Sequence, residues 1–202
     1  MPEVILLSGG IESTTLLHMS PTPSDFYPVF IDYGQRAAQQ ENLAALAHCV
    51  KLGLKFKKLN MSQVGHDFRE EQHNKMHVPL PHRNLIALSL GLSYATQLGA
   101  NRVHIALNQE DTQAYPSASM AFLKQFQAMA SALGPFEISA PLIHLSKASI
   151  IQRGKLLGVD YTTTYSCLLG YRNHCGHCPQ CKKRQAAFIE AGNREPTGFY
   201  RS

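Results

Sequence analysis

Apolar positions along the chain alternate between short continuous runs and longer stretches at helical spacing. Val4 to Leu7 is a continuous run of the kind that makes a strand buried on both faces, and Ser8-Gly9-Gly10 follows it at once. Ser13 to Met19 reads as a helix opening, Phe26 to Asp32 as a second strand, and Gln35 to Leu52 as an alanine- and leucine-rich helix. Leu54 to Leu59 suits a third strand. Residues 62–80 are polar and rich in histidine, which predicts an irregular loop. Arg83 to Leu98 is apolar almost all round, as a helix packed between a sheet and other elements would be, with Gly99 as its C-terminal cap. Arg102 to Leu107 predicts a fourth strand, Ser117 to Leu133 a helix after Tyr115-Pro116, and Phe136 to Ser139 a short fifth strand. Ser146 to Leu157 is a helix with Ser146 as N-cap and Gly158 as its stop. A cysteine-bearing loop and a last helix, Lys182 to Ala191, complete the chain. Strands alternating with helices imply an α/β fold with a doubly wound, mostly parallel five-stranded sheet.

Composition narrows this picture. A chain of 202 residues has room for one α/β domain, and 44% apolar with 16% charged residues is a globular balance. The longest apolar run, Leu85 to Leu92, is broken by Ser89 and Gly91 and is too short to span a membrane. The start, Met1-Pro2-Glu3, lacks the basic region and cleavage site of a secretory signal, so the expected location is cytoplasmic, with no membrane partner. The formal charge of +5 suggests an anionic partner. Its basic residues are scattered, with short clusters only at Lys55–Lys58 and Lys182–Arg184, so a small phosphorylated substrate fits at least as well as a nucleic acid.

Two segments carry candidate chemistry. Ser8-Gly9-Gly10-Ile11-Glu12-Ser13-Thr14 lies between the first strand and the first helix, where parallel sheets gather their ligands. Glycines let backbone N–H groups approach phosphate oxygens, the helix start adds partial positive charge, and Ser8, Ser13 and Thr14 add hydroxyls. The Gly-Lys-Ser/Thr of a Walker loop is absent. Taken alone, the segment is equally a tight strand-to-helix turn. The second segment, Cys167-x7-Cys175-x2-Cys178-x2-Cys181, offers four soft ligands on a loop. Four thiolates match a closed, structural Zn²⁺ site, and the spacing also suits an iron–sulfur cluster. His174 and His177 are alternative ligands or supporting donors. Cys49, alone on its helix, reads as core packing. His66, His73 and His77 read as part of the irregular polar loop, with metal binding as the alternative.

The loop resembles the Ser-Gly-Gly-x-Asp-Ser pyrophosphate loop of N-type ATP pyrophosphatases, with Glu12 in place of the aspartate. Further motifs extend the likeness over nearly the whole chain: Asp32-Tyr33-Gly34-Gln35-Arg36, Pro81-His82-Arg83-Asn84, Thr164-Tyr165-Ser166-Cys167, His174-Cys175-Gly176-His177-Cys178 and Ala191-Gly192-Asn193-Arg194-Glu195-Pro196-Thr197. In this order they are similar to those of the 7-cyano-7-deazaguanine synthase (QueC) family. The resemblance implies an adenine nucleotide alpha hydrolase-like fold, with a pyrophosphatase domain over residues 1–160 and a zinc-binding segment over residues 161–202 packed on it. It implies an ATP-dependent carbon–nitrogen ligase that activates 7-carboxy-7-deazaguanine, forms the amide with ammonia and dehydrates it to the nitrile. ATP with Mg²⁺, structural Zn²⁺ at Cys167, Cys175, Cys178 and Cys181, and a homodimer are its implied companions. Ser8, Gly9, Gly10, Glu12, Ser13, Thr14 and Asp32 are then expected to hold ATP, Lys147 and Arg83 to act in catalysis, and Arg36, Asn84, Asp111 and Tyr115 to bind substrate. From the residues alone, Lys147 is equally a solvated helix lysine, Asn84 a helix cap, and Arg36 the partner of a nearby acid.

One segment departs from the pattern. Where the family has Gly-Tyr-Pro-Asp-Cys-Arg, this chain has Ala114-Tyr115-Pro116-Ser117-Ala118-Ser119. An acid suits a guanine-like edge and Ser117 carries none, which opens the choice of substrate and of an amine other than ammonia. Two other readings stand beside this one: a tRNA-modifying enzyme of the thiolation type, and a non-catalytic nucleotide-binding subunit that kept the fold.

Overall fold

Val4 and Leu6 on one side of the first strand, and Ile5 and Leu7 on the other, enter two separate cores. That alternation is what a strand covered on both faces requires. The computed structural model describes residues 1–20, 22–69, 80–196 and 198–201. Its sheet comprises β1 (Glu3–Leu6), β2 (Phe26–Asp32), β3 (Lys57–Asn60), β4 (Arg102–His104) and β5 (Glu137–Ser139), in the order β3-β2-β1-β4-β5. All neighbouring pairs are parallel, with Val4 opposite Tyr27 and Val103.

The helices are α1 (Ile11–His18), α2 (Ala38–Lys51), α3 (Ser62–Asp67), α4 (Arg83–Leu98), α5 (Gln109–Ala114), α6 (Met120–Leu133), α7 (Lys147–Leu156) and α8 (Pro179–Glu190). One core joins Ile5, Leu7 and Phe30 of the sheet to Leu17 of α1, Ala45 and Cys49 of α2, Ile151 of α7 and Phe188 of α8. The other joins Val4, Leu6, Val29 and Val103 to Leu88 and Leu92 of α4 and Phe126 of α6. Gly91 lets α4 lie close to the sheet, because a Cβ there would meet Val103 Cγ1 at 2.9 Å and Leu6 Cδ2 at 3.2 Å. The glycine that interrupts the apolar run of α4 is thus a packing residue.

The doubly wound parallel fold agrees with the sequence, as do α4 with Gly99 in the left-handed conformation and α7 with Ser146 accepting from Ser149 N. Several boundaries differ. Residues 62–67 form α3 inside the stretch expected to be irregular, and His66 lies in its last turn; His73 and His77 fall outside the described residues. β4 stops at His104, which leaves room for α5, an element whose polar sequence gives no apolar period. The helix expected from Ser117 begins at Met120 after a 3-10 turn, because Ser119 accepts from Phe122 N at 3.1 Å and caps it. The last helix starts at Pro179 rather than Lys182, so the cysteine cluster is not wholly a loop: Cys178 caps α8 and Cys181 stands in its first turn. Among the described residues, no helix is long and apolar enough to cross a membrane.

Candidate active site

β1 lies between β2 and β4, so connections leave it in opposite directions and open a crevice at the carboxyl ends of these strands. A cleft of about 270 Å³ occupies that place. Its floor is apolar, from Leu6, Val29, Ile31 and Ile105, and its rim is polar.

The loop after β1 forms one edge. Gly9 takes a left-handed backbone (φ 74°), and a Cβ on it would meet Glu41 O at 2.5 Å and Ala45 N at 2.9 Å. Only glycine lets the loop lie this close to α2. Gly10 is the N-cap of α1 and offers no side chain, which leaves the first-turn amides facing the cleft entrance. Ser13 Oγ accepts from Ser8 N at 3.2 Å and lies 3.0 Å from Ser8 Oγ, holding the loop curled over the helix start.

Charge converges beside it. Lys147, at the start of α7, forms an ion pair with Glu12 Oε1, which also accepts from Asn108 Nδ2 at 2.8 Å. Burial pushes the Glu12 carboxyl up, but the Lys147 charge and these hydrogen bonds carry it below its ordinary value. Asn108 in turn caps α5 through a reciprocal pair: its Oδ1 accepts from Asp111 N at 2.8 Å, and its N donates to Asp111 Oδ2 at 3.2 Å. Burial, then the Glu12 charge, raises Asp111 above the usual aspartate value. On the opposite wall α4 starts from His82, itself left-handed at φ 50°, and presents Arg83 over the Tyr115 ring at 5.5 Å.

Of the residues singled out in the sequence, Ser8, Gly10, Glu12, Ser13, Arg83, Asn84, Asp111, Tyr115 and Lys147 line this one cleft. Lys147 is an ion-paired residue rather than a solvated one. Asn84 does not cap α4; its Nδ2 donates to Ser117 O at 3.2 Å. Gly9, Thr14, Asp32 and Arg36 are not on the lining. Thr14 is fully buried, and Asp32 accepts from Gly34 N at 3.1 Å and pairs with Lys58 at 2.9 Å. Arg36 is exposed, and it forms no ion pair among the described residues. Ser117 is buried beside the cleft without lining it. Asn108, Tyr33, Gln35, Glu41, Tyr165 and Ser166 were not expected. Asn108 was within reach of sequence reasoning, since Asn-x-x-Asp after a strand is a helix-capping spacing.

The four cysteines are all buried, and their Sγ atoms lie within 4.8 Å of one another, an arrangement that could hold a metal ion. Cys175 and Cys181 Sγ are 3.8 Å apart. Backbone amides of Cys175, Cys178 and Cys181 donate to the sulfurs of Cys167, Cys175 and Cys178 at 3.5, 3.2 and 3.4 Å, favouring thiolate charge. His174 is not a fifth ligand: its Nε2 accepts from Ser166 N at 2.9 Å, while His177 is exposed. Between cluster and loop, Tyr165 N donates to Gly9 O at 2.8 Å, and Tyr165, Ser166, Leu168 and Gln180 complete the cleft wall. Arg184 anchors this segment from within. It is 1% exposed, pairs with Glu195 at 2.7 Å, and donates to Thr164 Oγ1 at 2.9 Å and Tyr161 O at 2.7 Å.

Comparison with known proteins agrees with this geometry. Residues 3–192 match the family model described as queuosine biosynthesis protein QueC. The chain is 31% identical over 200 residues to 7-cyano-7-deazaguanine synthase 1 of Sulfurisphaera tokodaii, covering 98% of each. It is 36% identical over 219 residues to the 7-cyano-7-deazaguanine synthase of Stutzerimonas stutzeri, covering 98% of this chain and 97% of that one. Among solved structures, the NH3-dependent NAD synthetase of Campylobacter jejuni shares the fold with a TM-score of 0.53 and 20% identity, over 80% of this chain and 66% of that one.

Proposed function

This chain belongs to the QueC family of queuosine biosynthesis proteins, and on that premise we propose that it is an ATP-dependent ligase converting 7-carboxy-7-deazaguanine and ammonia to 7-cyano-7-deazaguanine. The observation that carries the reading is the convergence in one cleft of the Ser8–Ser13 loop with two cationic side chains, Lys147 and Arg83. In the proposed reaction a substrate carboxylate oxygen attacks the α-phosphorus of ATP and pyrophosphate leaves. Ammonia then attacks the acyl carbon and expels AMP, giving the amide. The amide oxygen then attacks the α-phosphorus of a second ATP, releasing pyrophosphate, and departure of AMP with loss of the two amide N–H protons gives the nitrile.

The chain's contribution is positioning and electrostatics. The loop amides and the Ser8 and Ser13 hydroxyls receive the pyrophosphate, and Lys147 offsets negative charge growing at the phosphates. Glu12, paired with Lys147, keeps its ammonium aimed at the loop. Arg83, Asn84, Asp111 and Tyr115 bind the substrate side, and the apolar floor excludes water from the activated acyl group. Gly9, Thr14 and Asp32 act beneath the surface, by close packing and by shaping the turns. Arg36, off the lining, is left out of the proposed set.

Mg²⁺ would enter with the ATP phosphates, with Glu12 and Asp111 on the lining as carboxylates to hold it, and it would supply charge neutralisation. Cys167, Cys175, Cys178 and Cys181 would hold Zn²⁺, whose contribution is a cross-link. The 3.8 Å separation of two sulfurs supports this, since a tetrahedral ion with Zn–S of about 2.3 Å sets its ligands about 3.8 Å apart.

Incubation with ATP, Mg²⁺, ammonium and 7-carboxy-7-deazaguanine, followed by mass spectrometry, tests the reading. The nitrile, AMP and pyrophosphate are expected. Amide without nitrile would mark a shortened reaction. Nucleotide binding without release of pyrophosphate would overturn the proposal in favour of a non-catalytic subunit.

A further inference from the structure

Three carboxylates line the cleft and Asp32 stands beside it; of these four, three are already committed. Glu12 is held by Lys147 and Asn108, Asp111 closes the cap of α5, and Asp32 is paired with Lys58. The fourth, Glu41, differs. It stands in the first turn of α2, lines the cleft, and has no ion-pair partner among the described residues. Its Oε2 accepts one hydrogen bond, from Gln35 Nε2 at 2.8 Å, and its Oε1 receives none from the described residues. Gln35 is itself fixed, since its Oε1 accepts from Tyr33 N at 2.9 Å. A half-buried carboxylate with a single neutral donor is short of donors that a ligand in the cleft can supply.

We propose that Glu41 is the residue that recognises the heterocycle, its carboxylate accepting the ring N–H and the exocyclic amine of a 7-deazaguanine-type base. This rests on the reading above and names the group that would select its substrate. The chemistry separates the two ligands of the reaction. A 2-amino-pyrimidinone edge offers two adjacent donors to an acceptor-only group. The adenine of ATP offers one donor beside an unprotonated ring nitrogen, which a carboxylate repels. The role is also compatible with the absence of an acid at Ser117, because the acceptor comes from α2 on the other side of the sheet's switch point. Burial raises the Glu41 carboxyl, while the Gln35 hydrogen bond and the Arg83 charge oppose that rise. Donors from a ligand would act in the same sense as Gln35 and hold it ionised.

The experiment is a calorimetric titration of the full-length, metal-loaded protein and of Glu41→Gln. The ligands are α,β-methylene-ATP and, with that analogue saturating, 7-carboxy-7-deazaguanine and its counterpart lacking the 2-amino group. Wild type should favour the 2-amino compound by roughly 10- to 100-fold, the value of hydrogen bonds to a charged group. Glu41→Gln should lose most of that preference and bind the nucleotide within about 3-fold of wild type, with a Tm no lower than wild type because a half-buried charge without a cationic partner has been removed. Unchanged preference in Glu41→Gln, or an equal loss of nucleotide binding, overturns the inference while the substrate reading stands. Wild type that binds the nucleotide but neither heterocycle overturns the substrate reading, and the inference with it.

Discussion

The backbone N–H of Tyr165 donates to the carbonyl of Gly9 at 2.8 Å, tying the cysteine-bearing segment directly to the turn that opens α1. The cysteine cluster and the candidate phosphate loop are thereby mechanically joined. Removal of the metal with a strong chelator should therefore weaken binding of a non-hydrolysable ATP analogue by about 10-fold or more, since the wall formed by Tyr165, Ser166 and Leu168 loosens. Metal content and nucleotide affinity measured on the same samples check it, and unchanged affinity in metal-free protein would disprove the coupling.

Lys147→Met leaves the Glu12 carboxylate in a desolvated site without its cation. Pyrophosphate release should fall by about 10²- to 10³-fold, the range for losing one charge-stabilising donor. Stability should drop by up to about 3 kcal/mol. The double variant Lys147→Met/Glu12→Gln should recover most of the stability and none of the turnover, as read by denaturant melts beside the pyrophosphate assay.

At Gly9 the obstacle is backbone. A methyl group there meets Glu41 O and Ala45 N well inside contact distance, and the left-handed conformation adds its own cost. Gly9→Ala should destabilise the protein by at least about 2 kcal/mol. A substitution that left Tm unchanged would show that the loop does not press on α2.

Arg184→Met strands Glu195 and removes the donors serving Thr164 and Tyr161. Breaking a buried pair of this kind costs about 3–5 kcal/mol. Chemical denaturation should show that loss, and limited proteolysis should show earlier cutting near residues 161–175 than in wild type.

Acid should act through His48, which bridges His18 at 3.1 Å and Thr163 at 2.8 Å. Burial, with the neighbouring His18 and Lys51, lowers it to about 4. Between about pH 6.5 and 4 the unfolded chain binds a proton that the folded chain refuses, so stability falls as pH drops through this window. His48→Gln should flatten that part of the stability profile, measured by thermal melts at closely spaced pH values.

Much of the architecture was legible because β1 and α4 obey simple patterns: a strand buried on both faces is apolar throughout, and a buried helix is apolar all round. α5 was not legible, because Gln109–Ala114 is short and polar and owes its helix to the Asn108 cap rather than to an apolar face. In the sequence Arg184 is part of a short basic cluster with Lys182 and Lys183. Helical spacing places it instead with Cys181, Ala187 and Phe188, all buried, so its role follows from period rather than from charge. Of the cleft residues that were anticipated, Ser8, Gly10, Glu12 and Ser13 came from a motif at a strand end, and Arg83, Asn84, Asp111, Tyr115 and Lys147 from the family resemblance. Glu41 escaped because a glutamate in the first turn of a helix ordinarily serves the helix dipole, and only the tertiary arrangement shows that it lines the cleft.

The wall supplied by Tyr165, Ser166, Leu168 and Gln180 has a consequence for biosynthesis. The central strand, the loop and both cationic side chains are all made within the first 147 residues, yet the wall beside them comes from Tyr165, Ser166, Leu168 and Gln180, which follow in the chain. A nascent chain paused on the ribosome short of Tyr165 would carry the loop and both cationic side chains without the wall that closes beside them.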